Sequence, residues 1–151
     1  MATTAQARTP VHLWIVGILS FLWNCFGAYD YLMTRTHNLD YLAKAMPGTD
    51  PSLTLAWVES MPLYAQLGWG FGVWGALLGS TLLLMRSRWA VWSFGVSLVG
   101  AIVSLGYQMF LAPPFPGQVS AAAKFMPIFI ILVALALFLY ARAMEKKAVL
   151  R

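Results

Sequence analysis

Four long apolar segments alternate with shorter polar stretches along this chain of 151 residues. None of the four has a lysine or arginine in its interior. They run over about His12–Met33, Pro62–Met85, Trp89–Leu111 and Phe125–Ala141. A helix needs about 20 residues to cross the hydrocarbon of a bilayer, and it satisfies its own backbone groups there. The pattern therefore predicts an all-α membrane protein with four transmembrane helices.

The connections between these segments predict how the helices are arranged. Only residues 86–88 join the second and third segments, so these two must form a hairpin. An antiparallel four-helix bundle, in a single membrane domain over residues 1–151, is the simplest architecture. Pro127 is expected in the first turn of the fourth helix, where its missing N–H costs little.

The first connection, about residues 34–61, is long for a structureless loop. Asn38–Met46 has the pattern of a short helix, with apolar residues on one side. Asp50 followed by Pro51 is typical of the start of a second helix. We interpret this region as a cap on the outer membrane surface, with a substrate lid or a partner-docking element as the alternative.

Small residues recur along three of the predicted helices at spacings that place them on one face. These seams consist of Gly68, Gly72, Gly75 and Gly79 in the second helix, Ser93, Ser97, Gly100 and Ser104 in the third, and Gly17, Ser20, Asn24, Gly27 and Tyr31 in the first. In lipid, close packing of small residues can hold helices together where apolar bulk cannot. We expect the second and third seams to meet, with serines bonding across or to their own carbonyls. The same seams also suit contacts within a homo-oligomer.

Charge and composition predict the orientation of the bundle. Only 10% of the residues are charged and 60% are apolar, whereas a soluble domain carries about a quarter charged residues. With the N-terminus inside, the inner side holds seven basic residues and the outer side three: Arg8, Arg86, Arg88, Arg142, Lys146, Lys147 and Arg151 against Arg35, Lys44 and Lys124. This follows the positive-inside rule, so both termini are expected in the cytoplasm. The net charge of +5 comes from helix ends, and we expect a lipid bilayer as partner and no nucleic acid.

The beginning of the chain has some features of a secretory signal, since a polar start precedes the first apolar segment. The best cleavage site, after Ala28, would place the bulky Phe26 three residues before the cut. We therefore expect the segment to be retained as a transmembrane helix.

Six polar residues are candidates for a small pocket open to the outside: Asn24, Asp30, Tyr31, Gln66, Tyr107 and Gln108. Asn24 is near mid-membrane, where an amide needs partners; a hydrogen bond between helices is favoured over a ligand or ion contact. Asp30 is the only acid within reach of the hydrocarbon, as a proton-coupled transporter would need. Pairing with Arg35, or solvation, is its default interpretation.

Residues for other chemistry are sparse in this sequence. The single cysteine, Cys25, allows no disulfide within the chain. His12 and His37 fall at opposite membrane ends, so they cannot share a metal ion. There is no phosphate-binding loop, no HExxH motif and no plausible Ser–His–Asp arrangement. We therefore expect a protein that is not an enzyme and that has no metal and no cofactor.

Several stretches carry a resemblance to a known family. They are Leu22–Asn24, Phe26–Tyr31, Gly72–Ser80 and Arg86–Val91. In these stretches, and over nearly the whole chain, the sequence resembles a family of small uncharacterised proteobacterial inner-membrane proteins, some of which are named "sugar transporter". The resemblance implies a bacterial inner-membrane protein with four helices, and it carries over no catalytic or binding residues.

Three functions remain as hypotheses. The leading one is a membrane protein that acts by association, either as an accessory subunit of a larger complex or as a homo-oligomer. The second is an oligomeric transporter of a small polar solute, with the candidate polar residues along its path. The third is a binder or sensor of a lipid- or quinone-like ligand, which requires an apolar cleft between helices with one or two polar anchors.

Overall fold

The chain is all-helical. The computed structural model describes residues 9–117 and 119–151, and these contain no strand. They form the six helices α1 (Val11–Arg35), α2 (Leu39–Ala45), α3 (Pro51–Glu59), α4 (Leu63–Leu84), α5 (Trp89–Phe110) and α6 (Ala121–Lys146). The prediction of an all-α protein is thus confirmed over this part of the chain. Arg8, which was counted among the inner basic residues, lies outside the described residues.

Four of these helices, α1, α4, α5 and α6, are long and apolar enough to cross a membrane. Their outward faces leave large apolar side chains in the open; on α1, Leu19, Leu22 and Phe26 are each at least 60% exposed. A soluble monomer rarely exposes a continuous apolar surface of this extent. The four helices therefore suggest a multi-pass membrane protein, as the sequence predicted.

The helix α6 begins earlier and ends later than the predicted Phe125–Ala141. Its N-cap is Ser120, whose side chain accepts a hydrogen bond from the Ala123 N–H at 3.2 Å. The expectation that Pro127 lies in the first turn was wrong, because the proline falls inside the longer helix. The helix continues through it although a proline provides no N–H for the carbonyl four residues earlier.

The short helices α2 and α3 lie between α1 and α4, in the region interpreted as a cap. Asn38 caps α2 by accepting a hydrogen bond from Tyr41 N–H at 2.9 Å. Asp50 caps α3 by accepting one from Ser52 N–H at 2.8 Å, with Pro51 at the first helical position. We call this end of the long helices the cap end, and the opposite end, where residues 85–88 join α4 to α5, the link end.

The helices α4 and α5 pack through their seams of small residues. Ser93 Oγ donates to the carbonyl oxygen of Gly75 at 2.9 Å, and Ser97 Oγ donates to that of Gly72 at 2.6 Å. Contacts thus move toward the start of α4 as they move toward the end of α5, so this pair is antiparallel. The serines bond across the seam to the neighbouring helix.

The rest of the α4–α5 seam is as close. A Cβ atom placed on Gly68 would lie 3.0 Å from the carbonyl oxygen of Gly100 and 3.2 Å from the nitrogen of Ser104. At Gly79 it would lie 2.7 Å from the ring of Phe94. A side chain at Gly68 would therefore crowd the backbone of α5, and one at Gly79 would displace the ring of Phe94.

A packed core closes the link end of the molecule. The buried members of this core are Leu13, Leu83, Ala90, Val91, Phe94, Leu137, Ala141, Met144, Val149 and Leu150. They come from all four long helices and from the last residues of the chain. Arg151 accepts a backbone hydrogen bond from Arg88 and donates one to Arg86, each at 2.8 Å. The residues after α6 thus pack against the α4–α5 link and complete the core at this end.

The helix α1 packs on α4, and α6 packs on α5. In the first seam, Gly17 lies against Leu84, while Ser20 Oγ donates to the carbonyl of Gly17 in its own helix at 3.1 Å. The outer helices α1 and α6 approach each other mainly through two ring pairs, His12 with Tyr140 and Trp23 with Phe129. Between these contacts a space remains inside the bundle.

Candidate functional site

A cavity of about 760 Å³ lies between α1 and α6, on the cap-end side of the packed core. Side chains from α1, α2, α4, α5 and α6 line it. On α5 the lining extends from Phe94 to Leu105 and on α6 from Met126 to Leu137. Eleven residues of helix span about 16 Å, so the cavity is a deep slot. Phe94 and Leu137 also belong to the packed core, and they form its floor.

The walls of the cavity are mainly apolar. Apart from the floor, they include Trp23, Phe26, Trp69, Val73, Ala76, Ala101, Ile130, Val133 and Ala134. Gly27 contributes free space, because a Cβ placed there would meet nothing within 4 Å among the described residues. Binding sites for small molecules have volumes of about 300–1,000 Å³ and apolar walls with few polar groups. The cavity falls in this class by both size and lining.

Asn24 is the deepest polar anchor on α1. Its side chain is 7% exposed. The Nδ2 group donates to the carbonyl oxygen of Ala76 at 3.0 Å and to Ser80 Oγ at 3.3 Å. This is the hydrogen bond between helices favoured by the sequence argument, and the residue also lines the cavity. Both recorded bonds use Nδ2, and an amide oxygen can accept further hydrogen bonds.

Asp30 stands about 9 Å nearer the cap end, six residues further along α1. Its Oδ1 accepts a hydrogen bond from the hydroxyl of Tyr41 at 2.8 Å. Of the two default interpretations of Asp30, pairing with Arg35 was wrong, since Arg35 instead donates to Gln66 Oε1 at 3.0 Å; solvation stays a prediction. Among the described residues, no lysine or arginine forms an ion pair with Asp30. The carboxylate therefore lines the cavity with a neutral partner.

The helix α2 covers the cap end of the cavity. Tyr41, Lys44, Ala45 and Met46 form this cover. The ring of Tyr41 packs edge-on against that of Tyr29, with centroids 5.4 Å apart. Burial, and after it the hydrogen bond to Asp30 and the negative charge there, raises the pKa of Tyr41 well above its ordinary value. The neutral phenol is thus the form that holds α2 in place.

A second set of contacts fixes the remainder of the cap. The Trp57 indole N–H donates to the carbonyl oxygen of Pro113 at 2.9 Å, and its ring packs edge-on against Phe115. The side chains of His37 and Glu59 are each at least half exposed, and His37 Nε2 lies 2.9 Å from Glu59 Oε1. These contacts tie α3 to the α5–α6 connection and to the α1–α2 connection, whereas Tyr41 ties α2 to α1 and the buried Leu42 adds to its packing.

The six residues predicted to form one pocket do not converge. Asn24 and Asp30 line the cavity. Tyr31 points toward α4, where its ring packs edge-on against Trp69 at 4.8 Å. Gln66 joins Arg35 to the cap, donating through Nε2 to the carbonyl oxygen of Met61 at 2.8 Å.

The remaining two candidates lie beside α5. Tyr107 packs edge-on against Tyr64 at 5.8 Å, and Gln108 Nε2 donates to Ser104 Oγ at 3.4 Å. Ser104 lines the cavity and Gln108 does not, so Gln108 is connected to the cavity only through its hydrogen bond to Ser104. Adjacent positions on a helix point about 100° apart, which is why residues at one membrane level separated onto different faces.

Sequence reasoning missed Tyr41, Lys44, Trp69 and Ser97 as lining residues. Ser97 is in a predicted seam and was interpreted as a packing residue, and Trp69 is next to Gly68 of another seam. Tyr41 lies 11 residues beyond Asp30 along the chain, and nothing in the spacing indicates that α2 folds back over α1. The apolar side of α2 was the available signal, and it indicated only that this helix packs against another part of the protein.

The described residues offer this cavity no obvious metal site, since no group of three or more His, Cys, Asp or Glu side chains is close enough to hold an ion. What the lining can do is exclude water from an apolar body and hydrogen-bond a polar group at two depths. Comparison with family models, with curated proteins and with solved structures finds no match to this chain. The arrangement of these residues is therefore the basis for proposing a function.

Proposed function

We propose that this chain is a multi-pass membrane protein that binds an amphipathic, lipid-like small molecule in the cavity between α1 and α6, without acting as an enzyme. The observation that carries the proposal is an apolar slot of about 760 Å³ with Asn24 and Asp30 as polar anchors at two depths. An apolar body excludes water from such a slot, and each CH2 group that leaves water contributes about 0.8 kcal/mol. The polar anchors then fix which way the molecule lies.

In the proposed orientation both termini are in the cytoplasm and the cap end faces the other side of a bacterial inner membrane. The support is the distribution of basic residues, most of which flank the link end, as the positive-inside rule requires. Asp30 then lies near the outer interface and Asn24 near the middle of the bilayer. A ligand would have its head group near Asp30 and its chain pointing toward Phe94.

Two features make the other hypotheses weaker. The seams of α4 and α5 bond to each other within the chain, so they do not support a homo-oligomer or an accessory subunit that associates through them. The packed core below Phe94 and Leu137 closes the link end, so the cavity does not support a transport path through one copy. A dead-end slot favours binding over transport.

The side of the slot between α1 and α6 supports entry from the bilayer. Trp23 and Phe129 meet there edge-on, with centroids 5.8 Å apart, and both rings are at least 40% exposed. Apart from this pair, α1 and α6 are in contact mainly at the link end, through His12 and Tyr140. A molecule dissolved in lipid would therefore pass a single pair of aromatic side chains.

The test is photo-crosslinking with dodecanol that carries a diazirine at the end of its chain, using purified protein in phosphatidylcholine nanodiscs. Labelled positions are mapped by mass spectrometry, and excess unlabelled dodecanol separates a saturable site from general partitioning into the bilayer. We expect competed labels on the lining of α5 and α6, near Phe94 and Leu137. Labels confined to the outward faces, with no competition, would overturn the proposal.

A matched pair of glycine variants isolates the cavity. Gly27→Leu fills free space within it, whereas Gly106→Leu adds the same side chain on α5 at a place away from the lining, where a Cβ would also meet nothing within 4 Å of the described residues. Both changes favour helix formation equally. Gly27→Leu should weaken competed labelling about tenfold or more, a loss of at least about 1.4 kcal/mol, and Gly106→Leu should leave it unchanged. Equal labelling in the two variants would contradict binding in the cavity.

A further inference from the structure

Hydrogen-bond donors on the membrane-embedded lining of the cavity are largely used within the protein itself. Asn24 directs its Nδ2 group to Ala76 and Ser80. Ser97 donates its hydroxyl to the carbonyl of Gly72 at 2.6 Å. These bonds hold α1 and α5 against α4, so the groups cannot turn toward a ligand without breaking a contact between helices. What they leave for a ligand is oxygen lone pairs.

The same holds at the cap end of the slot. The hydroxyl of Tyr41 donates to Asp30 Oδ1 at 2.8 Å. A carboxylate has about four sites for accepting hydrogen bonds and no donor, so one bond from Tyr41 leaves most of them open. No described lysine or arginine is paired with Asp30, and a charge removed from water gains most from an opposite charge that also hydrogen-bonds. The head position therefore has acceptors and a negative charge.

We infer that the ligand is an amphiphile whose head group donates hydrogen bonds, with a protonated amine preferred, and that Asp30 binds this group while Tyr41 orients the carboxylate. The inference rests on the proposed function and names the class of ligand for the same cavity. An alcohol donates one hydrogen bond and carries no charge, so it should bind less well than an amine. A quinone or a simple ketone offers acceptors only, and it should bind worst.

Four other donors border the cavity, and they define the result that would oppose the inference. They are the ammonium group of Lys44, which is exposed in α2, the indole N–H groups of Trp23 and Trp69, and the hydroxyl of Ser104, whose Oγ accepts a hydrogen bond from Gln108. Lys44 is on the cover, further out than Asp30, and the two tryptophans each hold their ring in an edge-on pair. If these donors set the selectivity, a ketone should compete as well as an amine.

The experiment is competition against the diazirine-labelled dodecanol by three ligands of equal chain length: dodecylamine, dodecanol and 2-dodecanone. Concentrations are corrected for partitioning into the phosphatidylcholine nanodiscs. We expect dodecylamine to compete about tenfold better than dodecanol, in line with the added strength of a charge-assisted hydrogen bond, and 2-dodecanone to compete least. In Asp30→Asn the amine should lose its advantage, while competition by dodecanol should stay within about twofold.

A second variant keeps the inference testable if Asp30→Asn disturbs the cap. Tyr41→Phe removes the internal donor but retains the carboxylate, so the preference for the amine should persist or grow. An amine preference that survives Asp30→Asn, or a ketone that competes as well as the amine in the native protein, would overturn the inference. In either of those cases saturable labelling by dodecanol would still support the proposed function, whereas its absence would remove both.

Discussion

Two glycines of the same kind of seam have opposite surroundings in this protein. At Gly100 on α5, a Cβ atom would lie 2.5 Å from the carbonyl oxygen of Gly68 and 2.6 Å from the nitrogen of Gly72. At Gly27 on α1, a Cβ would meet nothing within 4 Å among the described residues. The first glycine brings two backbones into contact, and the second borders a cavity. A run of small residues therefore allows another helix to approach closely, but the neighbouring helices decide whether that face is packed or borders a cavity.

The difference follows from how the neighbours are connected. Only four residues, 85–88, separate α4 from α5, so these helices must lie side by side and their seams can meet along their whole length. The helices α1 and α6 are far apart in the chain, and they are joined at the link end by the core and at mid-height by the pair of Trp23 with Phe129. The α4–α5 pair is thus closely packed, and the slot lies between α1 and α6, which pack on α4 and α5 and make few contacts with each other.

The largest expected effect on stability comes from placing a side chain at Gly100, in the close contact between α4 and α5. Gly100→Val would force side-chain atoms into the backbone of α4, which cannot move aside as a flexible side chain can. Overpacking of this kind costs typically about 1–3 kcal/mol and occasionally more, and we expect the upper part of that range. The measurement is thermal unfolding in detergent, followed by tryptophan fluorescence.

The control for this prediction is Gly106→Val, in the same helix at a position without near neighbours. It should be neutral or slightly stabilising, because a glycine within a helix is about 1 kcal/mol less favourable than alanine. If both variants unfold at the same temperature, the close contact between α4 and α5 does not limit stability.

The hydrogen bonds on either side of α4 should matter less and can be compared directly. Asn24→Ala removes the two bonds from α1 to Ala76 and Ser80, whereas Ser97→Ala removes one bond from α5 to Gly72. Polar contacts between membrane helices average about 0.6 kcal/mol and reach about 1.7 kcal/mol. We expect Asn24→Ala to cost about 1 kcal/mol in the free energy of unfolding and Ser97→Ala about half of that.

The same two variants also compare how the α1 side and the α5 side of α4 contribute to ligand binding. Asn24 lines the cavity as an anchor and Ser97 lies at its wall. Unfolding in a graded mixture of mild and denaturing detergent gives the stability, and labelling by the dodecanol probe gives the binding. A larger loss of stability in Ser97→Ala than in Asn24→Ala would mean that α1 depends little on its polar contact with α4.

The sequence was sufficient for the existence of the helices and for the start of α3, but not for the start of α6, which is capped by Ser120. Length and hydropathy predicted the four apolar helices because a span of about 20 apolar residues has few other uses, and Asp50 with Pro51 marked the start of α3 correctly because capping is a local interaction. The α4–α5 contact was also expected, since a link of residues 86–88 alone places these two helices side by side, although the same seams also suited contacts between copies of the chain.

The candidate site was only partly accessible from the sequence. Asn24 and Asp30 were identified as unusual, but Asp30 was expected either to pair with Arg35, five residues away, or to be solvated, and its hydrogen-bond partner is Tyr41. That choice depends on the direction in which α2 leaves α1, which a turn at His37 with a positive φ of 57° sets. The cavity itself depends on α1 and α6 making few direct contacts, since α1 packs on α4 and α6 packs on α5, and this arrangement results from packing across the whole bundle.

The smallest expected effect is in the cover of the cavity, and it depends on pH. Because the folded protein raises the pKa of Tyr41, the neutral phenol stabilises the cover at all pH values below its ordinary pKa of about 10. This contribution is lost as the pH rises toward the higher value, since a phenolate cannot donate to Asp30. A part-exposed hydrogen bond contributes about 0.5 kcal/mol, so α2 should loosen without unfolding of the long helices.

Tyr41→Phe tests this contribution by limited proteolysis of the segment from α2 to α3 at about pH 8 and about pH 11, on either side of the ordinary pKa. The variant should be cut faster than the native protein at the lower pH, and the difference should narrow at the higher pH, where the contribution of the neutral phenol has begun to fall. Lys44 and Tyr29 are close to Tyr41 and carry ionisable groups of their own, but they are present in both proteins, so the difference between the two isolates Tyr41. Equal cutting rates at the lower pH would mean that the cover is held by the rest of the cap, through Trp57 and Glu59, and that the bond to Asp30 orients the carboxylate without holding α2.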